Sequence, residues 1–252
     1  LCEELPELRR GAQPGICGLR GTVARRMHDA VVPFAAGSFI TPMAAVAGAV
    51  AEEVLDAMVQ ASDLDRAYVN NGGDIALHLG EGQCFTVGLV DRPDMSHLIG
   101  KTIIAASDTA RGVATSGWRG RSFSLGIADA VTVLARTAAQ ADAAATVIAN
   151  AIDLPDHSAI VRCPAHDIQP DSDLGARLVT RDVGQLLFAD IDVALESGAV
   201  CARRLVAAGL IDGAALHLQG ETRIVAMKSV DQRSSKSPQV LIQQKAESLM
   251  HA

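Results

Sequence analysis

Three arginines, three glycines and several hydroxyl side chains lie within the twelve residues 111–122. Glycines let the backbone turn so that its N–H groups face a ligand, and arginines form forked contacts with phosphate or carboxylate. This composition predicts an anion-binding loop for a phosphorylated small molecule. The same residues also suit a solvated turn whose arginines point into water, so the segment alone leaves both interpretations open.

A second set of candidate ligands lies on a predicted helix over residues 137–152. Thr137 followed by Gln140 is a capping-box pattern, and apolar residues at 141, 144, 145, 148 and 152 predict the buried face. Asp142 and Thr146 are four residues apart and therefore lie on the same side of the helix. A carboxylate beside a hydroxyl suits Mg²⁺, which keeps waters or phosphates as its other ligands. An ordinary capped helix with a polar edge explains the same pattern.

Glycine-rich turns separate the predicted strands at 66–69, 74–79 and 85–90. The turns at 70–73 and 80–83 have the residues of hairpin turns, which predicts two successive hairpins. Residues 70–74, Asn-Asn-Gly-Gly-Asp, equally suit a binding loop, because residues that tolerate left-handed geometry let backbone amides converge. The two interpretations are compatible with each other.

Other elements must position these residues. A helix is predicted to begin at Thr41-Pro42 and to bury its apolar positions 43, 46, 47, 50, 54 and 58, leaving the acidic residues 52, 53 and 56 in solvent. Residues 123–135 read as one or two buried strands. A further helix over 190–208 ends before Gly209, and a hairpin follows. Its first strand, 214–219, echoes residues 75–80, which hints at an internal duplication.

Composition limits the class of protein. The chain has 252 residues, of which 49% are hydrophobic, and its net charge of −7 argues against a nucleic acid or an anionic membrane as partner. Five widely spaced cysteines favour reduced thiols in the cytoplasm over a disulfide framework or a zinc site. No apolar run reaches the ~18 residues of a membrane helix. Residues 1–26 lack the apolar stretch of a signal peptide. The first residue is Leu rather than Met, which leaves an incomplete N-terminus as one interpretation.

Four segments in order resemble one known family. Residues 41–55, 68–75, 112–129 and 141–146 are similar to the uncharacterised ApbE-like proteins, distant relatives of the FAD:protein FMN transferases. The resemblance covers about residues 25–225. It implies an α+β fold of duplicated sheet-and-helix units, related to the T-fold. We expect one compact two-lobed domain over 1–227, followed by a loose polar tail over 228–252.

The resemblance also implies a ligand site. In the transferases Mg²⁺ lies against the diphosphate of FAD, and the matching ligands here are Asp142, Thr146 and a main-chain carbonyl near Ala45. The flavin cleft is then lined by two loops. Their matching residues are Asn71, Gly72, Gly73 and Asp74 in the first, and Thr115, Ser116, Gly117, Arg119 and Arg121 in the second.

Two departures from the transferases limit this transfer of function. Their lysine near the early helix is missing from Val46-Ala47-Gly48, and residues 123–129 lack their histidine. Asp129 is the remaining candidate base, or else a carboxylate at a strand end. The expected function is therefore binding of FAD or a related phosphorylated cofactor with Mg²⁺, by a divergent FMN transferase or a diphosphate-cleaving enzyme. A non-catalytic carrier, or an accessory subunit of a redox enzyme, is the alternative. Small-residue helices and sheet edges also favour a homodimer.

Overall fold

A six-stranded antiparallel sheet forms the centre of the molecule. The computed structural model describes residues 1–15, 17–92 and 95–226, so the predicted tail over 228–252 lies outside the described residues. The strand order in the sheet is β1-β2-β5-β6-β9-β10, while β3 pairs with β4 and β7 with β8 in separate two-stranded sheets. The strands are β1 Arg66–Asn71, β2 Asp74–Leu79, β3 Cys84–Arg92, β4 Met95–Ala105, β5 Gly112–Ser116, β6 Ala130–Ala135, β7 Ile160–Pro164, β8 Leu178–Val183, β9 Gly213–Leu218 and β10 Glu221–Val225.

Helices cover one face of this sheet. The main core joins small side chains of the sheet to alanine-rich helices, and the hairpin of β3 and β4 covers part of the other face through Phe85 and Ile104. Among the described residues, no helix is long and apolar enough to cross a membrane. The helices are α1 Leu5–Leu8, α2 Thr22–Val31, α3 Val46–Ala61, α4 Ala138–Ala151, α5 Ala165–Ile168 and α6 Phe188–Ala207.

Helix α4 matches its sequence prediction closely. The Thr137 hydroxyl accepts a hydrogen bond from the Gln140 N–H at 3.2 Å, which supplies one of the donors that a helix N-terminus leaves unpaired. All five predicted inward positions are fully buried. The predicted helix before Gly209 and the hairpin after it are also confirmed, as α6 and the pair β9–β10.

The predicted buried face of α3 is wrong. Val54 and Met58 are 46% and 40% exposed, whereas Gly48 and Leu55 lie inside. The reason is backbone proximity: a Cβ on Gly48 would lie 2.3 Å from the Ala138 carbonyl oxygen. The helix therefore approaches α4 through its smallest residues, and hydrophobicity does not identify this face.

Two further predictions need correction. The second hairpin, across residues 80–83, does not form, because β2 pairs with β1 and β5 while β3 pairs with β4. The segment 111–122 is not a loop throughout, because its residues 112–116 form the central strand β5. Residues 123–135 contain one strand, β6.

The α+β class is confirmed, with hairpins β1–β2 and β9–β10 at the two ends of the sheet and β5–β6 between them. The internal duplication and the relation to the T-fold stay predictions.

Candidate functional site

The turn between β1 and β2 forms one side of the candidate site. Gly72 and Gly73 have φ angles of +73° and +114°, a region that favours glycine, and the Gly73 N–H donates to Asn70 Oδ1 at 2.9 Å. This hairpin was predicted from the sequence and is confirmed. The Asn71 side chain donates to the Ala47 carbonyl oxygen at 3.2 Å. The turn is thereby tied to the N-terminal end of α3.

Asp142 reaches the same helix end from α4. Its Oδ2 accepts a hydrogen bond from the Gly48 N–H at 3.0 Å. Helix α3 begins after Ala45 without a capping side chain of its own. Asp142 therefore supplies, from a distant part of the chain, the acceptor and the negative charge that the N-terminus of a helix favours.

The electrostatics of this region centre on two carboxylates. Burial raises the pKa of Asp142 well above its usual range, the negative charge of Asp74 raises it further, and the N–H groups of Gly48 and Ala47 oppose the shift. Burial also raises the pKa of Asp74 to about 6, against the Thr115 N–H and the charge of Arg121. Like charges brought together in a desolvated place disfavour double ionisation. The pair therefore favours either a proton or a bound cation.

Arg121 supplies the positive charge beside this pair. A Cβ on Gly72 would lie 1.8 Å from Arg121 Nη2, so the guanidinium rests directly against the turn. The Thr115 N–H donates to Asp74 Oδ1 at 3.3 Å, which fixes the carboxylate at the end of β5. A cation, two carboxylates and a glycine turn are thus gathered at one end of the sheet.

Asp129 belongs to a second cluster, in which it is fully engaged. Its Oδ1 accepts from Trp118 Nε1 at 3.2 Å and from Arg119 Nε at 2.8 Å, and its Oδ2 accepts from the Gln219 N–H at 2.7 Å. The residue is only 5% exposed. The Arg119 guanidinium also lies 4.3 Å from the centre of the Trp118 ring. Asp129 therefore joins the turn after β5 to the turn between β9 and β10.

The remaining candidate residues lie around these two clusters. Thr146 is half-buried one turn beyond Asp142 on α4, and Ala45 is buried at the start of α3. Ser116 and Gly117 connect β5 to the turn, where a Cβ on Gly117 would lie 2.4 Å from the Asp129 carbonyl oxygen. The structure thus separates the second predicted loop into Thr115 and Arg121, which adjoin Asp74, and Arg119, which pairs with Asp129.

Sequence reasoning missed three contributors. The N–H groups of Ala47 and Gly48 hold Asp142, and the Gln219 N–H holds Asp129. The hairpin turn itself was predicted, and its residues Gln219 and Gly220 have φ angles of +44° and +91°, but no sequence pattern signals its contact with Asp129. Arg111 is a structural residue, because its guanidinium donates to three nearby carbonyl oxygens, those of residues 106, 108 and 110.

The donor set fits a hard cation with few protein ligands. Within the part of the chain that the structure describes, no group of three or more His, Cys, Asp and Glu is arranged around one point. Asp74 and Asp142 nevertheless bring two carboxylates close enough for the charge of one to raise the pKa of the other. Mg²⁺ is commonly bound by one or two carboxylates, with waters and ligand phosphates completing its shell. The metal role of Asp142, Thr146 and Ala45 stays a prediction.

A model of the family described as "AbpE bacteria" matches residues 1–224, which include both clusters. The chain belongs to this family. The predicted kinship with ApbE-like proteins is thereby supported at the level of an ApbE-related family, without a transferase activity attached to it.

Archaeal relatives of this AbpE-family chain match about half of it. "UPF0280 proteins" are 39% identical over 136 residues in Methanothrix thermoacetophila, covering 54% of each chain, and 40% identical over 141 residues in Methanopyrus kandleri, covering 56% of this chain and 53% of the relative. The Methanothermobacter thermautotrophicus protein is 36% identical over 154 residues, covering 60% of this chain and 56% of the relative. The chain thus spans about half the length of these curated relatives, and their names state no ligand or reaction.

Proposed function

We propose that this protein binds a flavin or a related phosphorylated cofactor together with Mg²⁺ beside Asp74 and Asp142. The observation that carries the proposal is the desolvated carboxylate pair. Among the described basic residues, none forms an ion pair with Asp142. Two half-buried carboxylates that repel each other are costly unless a cation or a proton joins them. Membership of an ApbE-related family supports a flavin as the ligand.

Each residue has a distinct role in this proposal. Asp142 and Asp74 would hold the cation, with Thr146 and a carbonyl near Ala45 as further oxygen ligands. Arg121 would contact the phosphates of the cofactor, since its guanidinium lies against the glycine turn. The bound ion would neutralise phosphate charge, which is the main electrostatic requirement of phosphoryl-transfer chemistry.

The geometry favours a cofactor carrier over a transferase as the form of this function. Asp129, the predicted base, already accepts three hydrogen bonds from Trp118, Arg119 and Gln219. A carboxylate so engaged has little freedom to accept a proton from an attacking group. We therefore place binding first. Turnover of FAD, as a divergent FMN transferase or a diphosphate-cleaving enzyme, is the second candidate, which the family resemblance supports.

The test combines binding with product analysis. Purified protein is titrated with FAD by fluorescence in the presence and absence of Mg²⁺, and the same samples are separated by chromatography to detect FMN and AMP. We expect Mg²⁺-dependent binding that Asp142→Asn abolishes. The matched control is Asp192→Asn, which changes an exposed aspartate paired with Arg223 and should leave binding unchanged.

Three results separate the versions of this proposal. Binding without FMN or AMP supports a carrier, and their Mg²⁺-dependent release supports an enzyme. Equal FAD affinity with and without Mg²⁺, or in the intact protein and the Asp142→Asn variant, contradicts the proposed site.

A further inference from the structure

One edge of the central sheet carries an apolar surface that the described residues leave open. On α3, six positions fall within one arc of about 100° around the helix, and every one is uncharged and apolar. Val54 and Met58 within this arc are largely exposed. We call this surface the α3 stripe; its residues are Ala47, Val50, Val54, Ala57, Met58 and Ala61.

The α3 stripe lies beside the free edge of β1. Helix α3 packs over β1 and β2, whereas α4 packs over β2, β5 and β6 on its inner side. The flank of α3 that faces away from α4 therefore overhangs β1. Among the described residues, β1 pairs with β2 alone. Helix and strand edge thus form one continuous surface at this end of the sheet.

The backbone of β1 is ready to pair with another strand. The two-residue turn makes Asn71 and Asp74 the closing hydrogen-bonded pair, so the alternation of an antiparallel ladder directs the N–H and C=O groups of residues 66, 68 and 70 away from β2. Tyr68, in the middle of this row, is 58% exposed. Its ring meets Phe85 edge-on, with centroids 5.8 Å apart, so the β3–β4 hairpin adds a third layer to the surface.

Charge distinguishes this surface from the corresponding helix at the other end of the sheet. The outer side of α6 also exposes valines, but they alternate with Glu196, Arg203 and Arg204. Of the acidic residues on α3, Glu52 and Asp56 point the opposite way and Glu53 lies about 90° from the centre of the stripe. All three pair with Arg26. Exposed sheet edges are commonly protected by charge; here Arg66 at the start of β1 is the charged residue of that strand, and the α3 stripe beside it has none.

We propose that a second copy of this chain covers the α3 stripe and the edge of β1. A two-fold axis at Tyr68 pairs the two β1 strands antiparallel, which extends the sheet across both copies and packs the two α3 stripes together. This register sets Arg66 opposite Asn70, whereas an axis at Arg66 would set like charges opposite each other. The proposal is independent of the proposed cofactor.

The available area suits a modest dimer. Six strand residues span about 20 Å, and helix, sheet and hairpin layers together are about 30 Å deep, which gives a footprint on the order of 600 Å² per copy. Stable interfaces bury about 800 Å² per partner. We therefore expect a dimer whose population rises with protein concentration.

Sedimentation velocity of the full chain without ligand, from low micromolar to several hundred micromolar, tests this surface. We expect a concentration-dependent dimer, and dissociation at least 100-fold easier in Val54→Glu, because the new carboxylate would be buried without a partner. Tyr68→Lys probes the strand side of the same surface and should weaken the dimer in the same direction. The matched control is Val193→Glu on the outer side of α6, at a position that is 59% exposed, and it should leave the dimer unchanged.

Circular dichroism confirms folding of each variant, since all three positions are exposed. A chain that is monomeric at every concentration overturns the proposal. So does a dimer that resists both Val54→Glu and Tyr68→Lys, or one that Val193→Glu disrupts while those two variants leave it intact. None of these outcomes depends on flavin or Mg²⁺, so failure here leaves the proposed function separately testable.

Discussion

Asp129, which is buried, and the half-buried pair Asp74 and Asp142 lie at the same end of the sheet and have opposite surroundings. Asp129 accepts three hydrogen bonds, one of them from the guanidinium of Arg119 at 2.8 Å. Asp142 accepts backbone N–H groups only, and Asp74 beside it makes its ionisation harder. Hydrogen bonds and an opposite charge compensate the desolvation of the first carboxylate, whereas the second pair keeps part of its cost.

This difference distinguishes a carboxylate that stabilises the fold from carboxylates that are candidates for binding a ligand. A residue whose partners are all supplied by the protein stabilises the fold, and Asp129 does so by joining two turns. Residues left repelling each other lower stability, and proteins retain such arrangements mainly where function requires them. We therefore assign Asp129 to architecture and propose the Asp74–Asp142 pair for binding.

Removal of the Asp129 carboxylate should have the largest effect. Asp129→Ala leaves Trp118 Nε1, the Arg119 guanidinium and the Gln219 N–H without their acceptor, which should lower the free energy of unfolding by about 3–5 kcal/mol. Urea unfolding followed by Trp118 fluorescence measures the loss. Asp192→Ala, which breaks an exposed ion pair, should cost about 1 kcal/mol or less. Equal losses of stability in the two variants would contradict the claim that Asp129 stabilises the fold.

Neutralising Asp74 should raise the free energy of unfolding, whereas removing Asp129 should lower it. The folded pKa of about 6 lies above the unfolded value of about 4. Protonation of Asp74 therefore stabilises the folded state fully below pH 4, and this stabilisation is lost as the pH rises through 6. Asp74→Asn should therefore stabilise the ligand-free protein by about 2–3 kcal/mol at pH 8 and by almost nothing at pH 4. Urea unfolding at both pH values measures this gain. Destabilisation at pH 8 would show that the carboxylate is structurally paired.

Removing Arg121 should mainly weaken cofactor binding, whereas removing Arg119 should mainly lower stability, as for the carboxylates beside them. Arg121→Ala should weaken Mg²⁺-dependent FAD binding by about 10–100-fold, since a charge-assisted contact contributes about 1.5–3 kcal/mol. Arg203→Ala, which removes an exposed arginine paired with Glu196, is the control and should leave the affinity unchanged. Arg119→Ala should instead act mainly on stability. Titration by fluorescence and urea unfolding separate the two effects, and an unchanged FAD affinity in Arg121→Ala would break the comparison.

The smallest expected effect concerns the glycine turn. Gly72→Ala adds a Cβ at a φ of +73° and directly against the Arg121 guanidinium, whereas Gly82→Ala adds one at +74° with no atom within 4 Å. Both should lose about 1 kcal/mol of stability from the left-handed backbone. Only Gly72→Ala should also lower FAD affinity. A matching decrease in both variants would show that Arg121 is displaced without consequence.

Local patterns predicted the elements, and long-range packing decided the rest. The hydroxyl of Thr137 and the alanines after it determine α4 within a few residues, so the sequence sufficed there. The prediction of the buried face of α3 failed because Gly48 packs backbone against backbone, and such a contact has no hydrophobic signature. The prediction of a second hairpin failed because the turn residues at 80–83 do not determine whether the strands on either side of them pair with each other.

The candidate site was predictable as a list of residues and not as an arrangement. Asp142, Asp74 and Arg121 each belong to a segment with a recognisable composition. That Asp142 accepts the Gly48 N–H, 94 residues away in the chain, follows only from the packing of α3 on α4. The separation of Arg119 from Arg121 depends in the same way on the contact of the Gln219 N–H with Asp129, which no sequence pattern signals.

The most direct test of the central claim is the effect of Mg²⁺ on unfolding at two pH values. At pH 8, saturating Mg²⁺ should raise the free energy of unfolding of the intact protein, because an ion that binds only the folded state stabilises it. The gain should shrink at pH 5, because the raised pKa of about 6 leaves Asp74 largely protonated there, and burial and the charge of Asp74 raise the pKa of Asp142 in the same direction. It should be absent at both pH values in Asp142→Asn. Equal Mg²⁺ responses in the intact protein and this variant would contradict the claim that the carboxylate pair binds a cation.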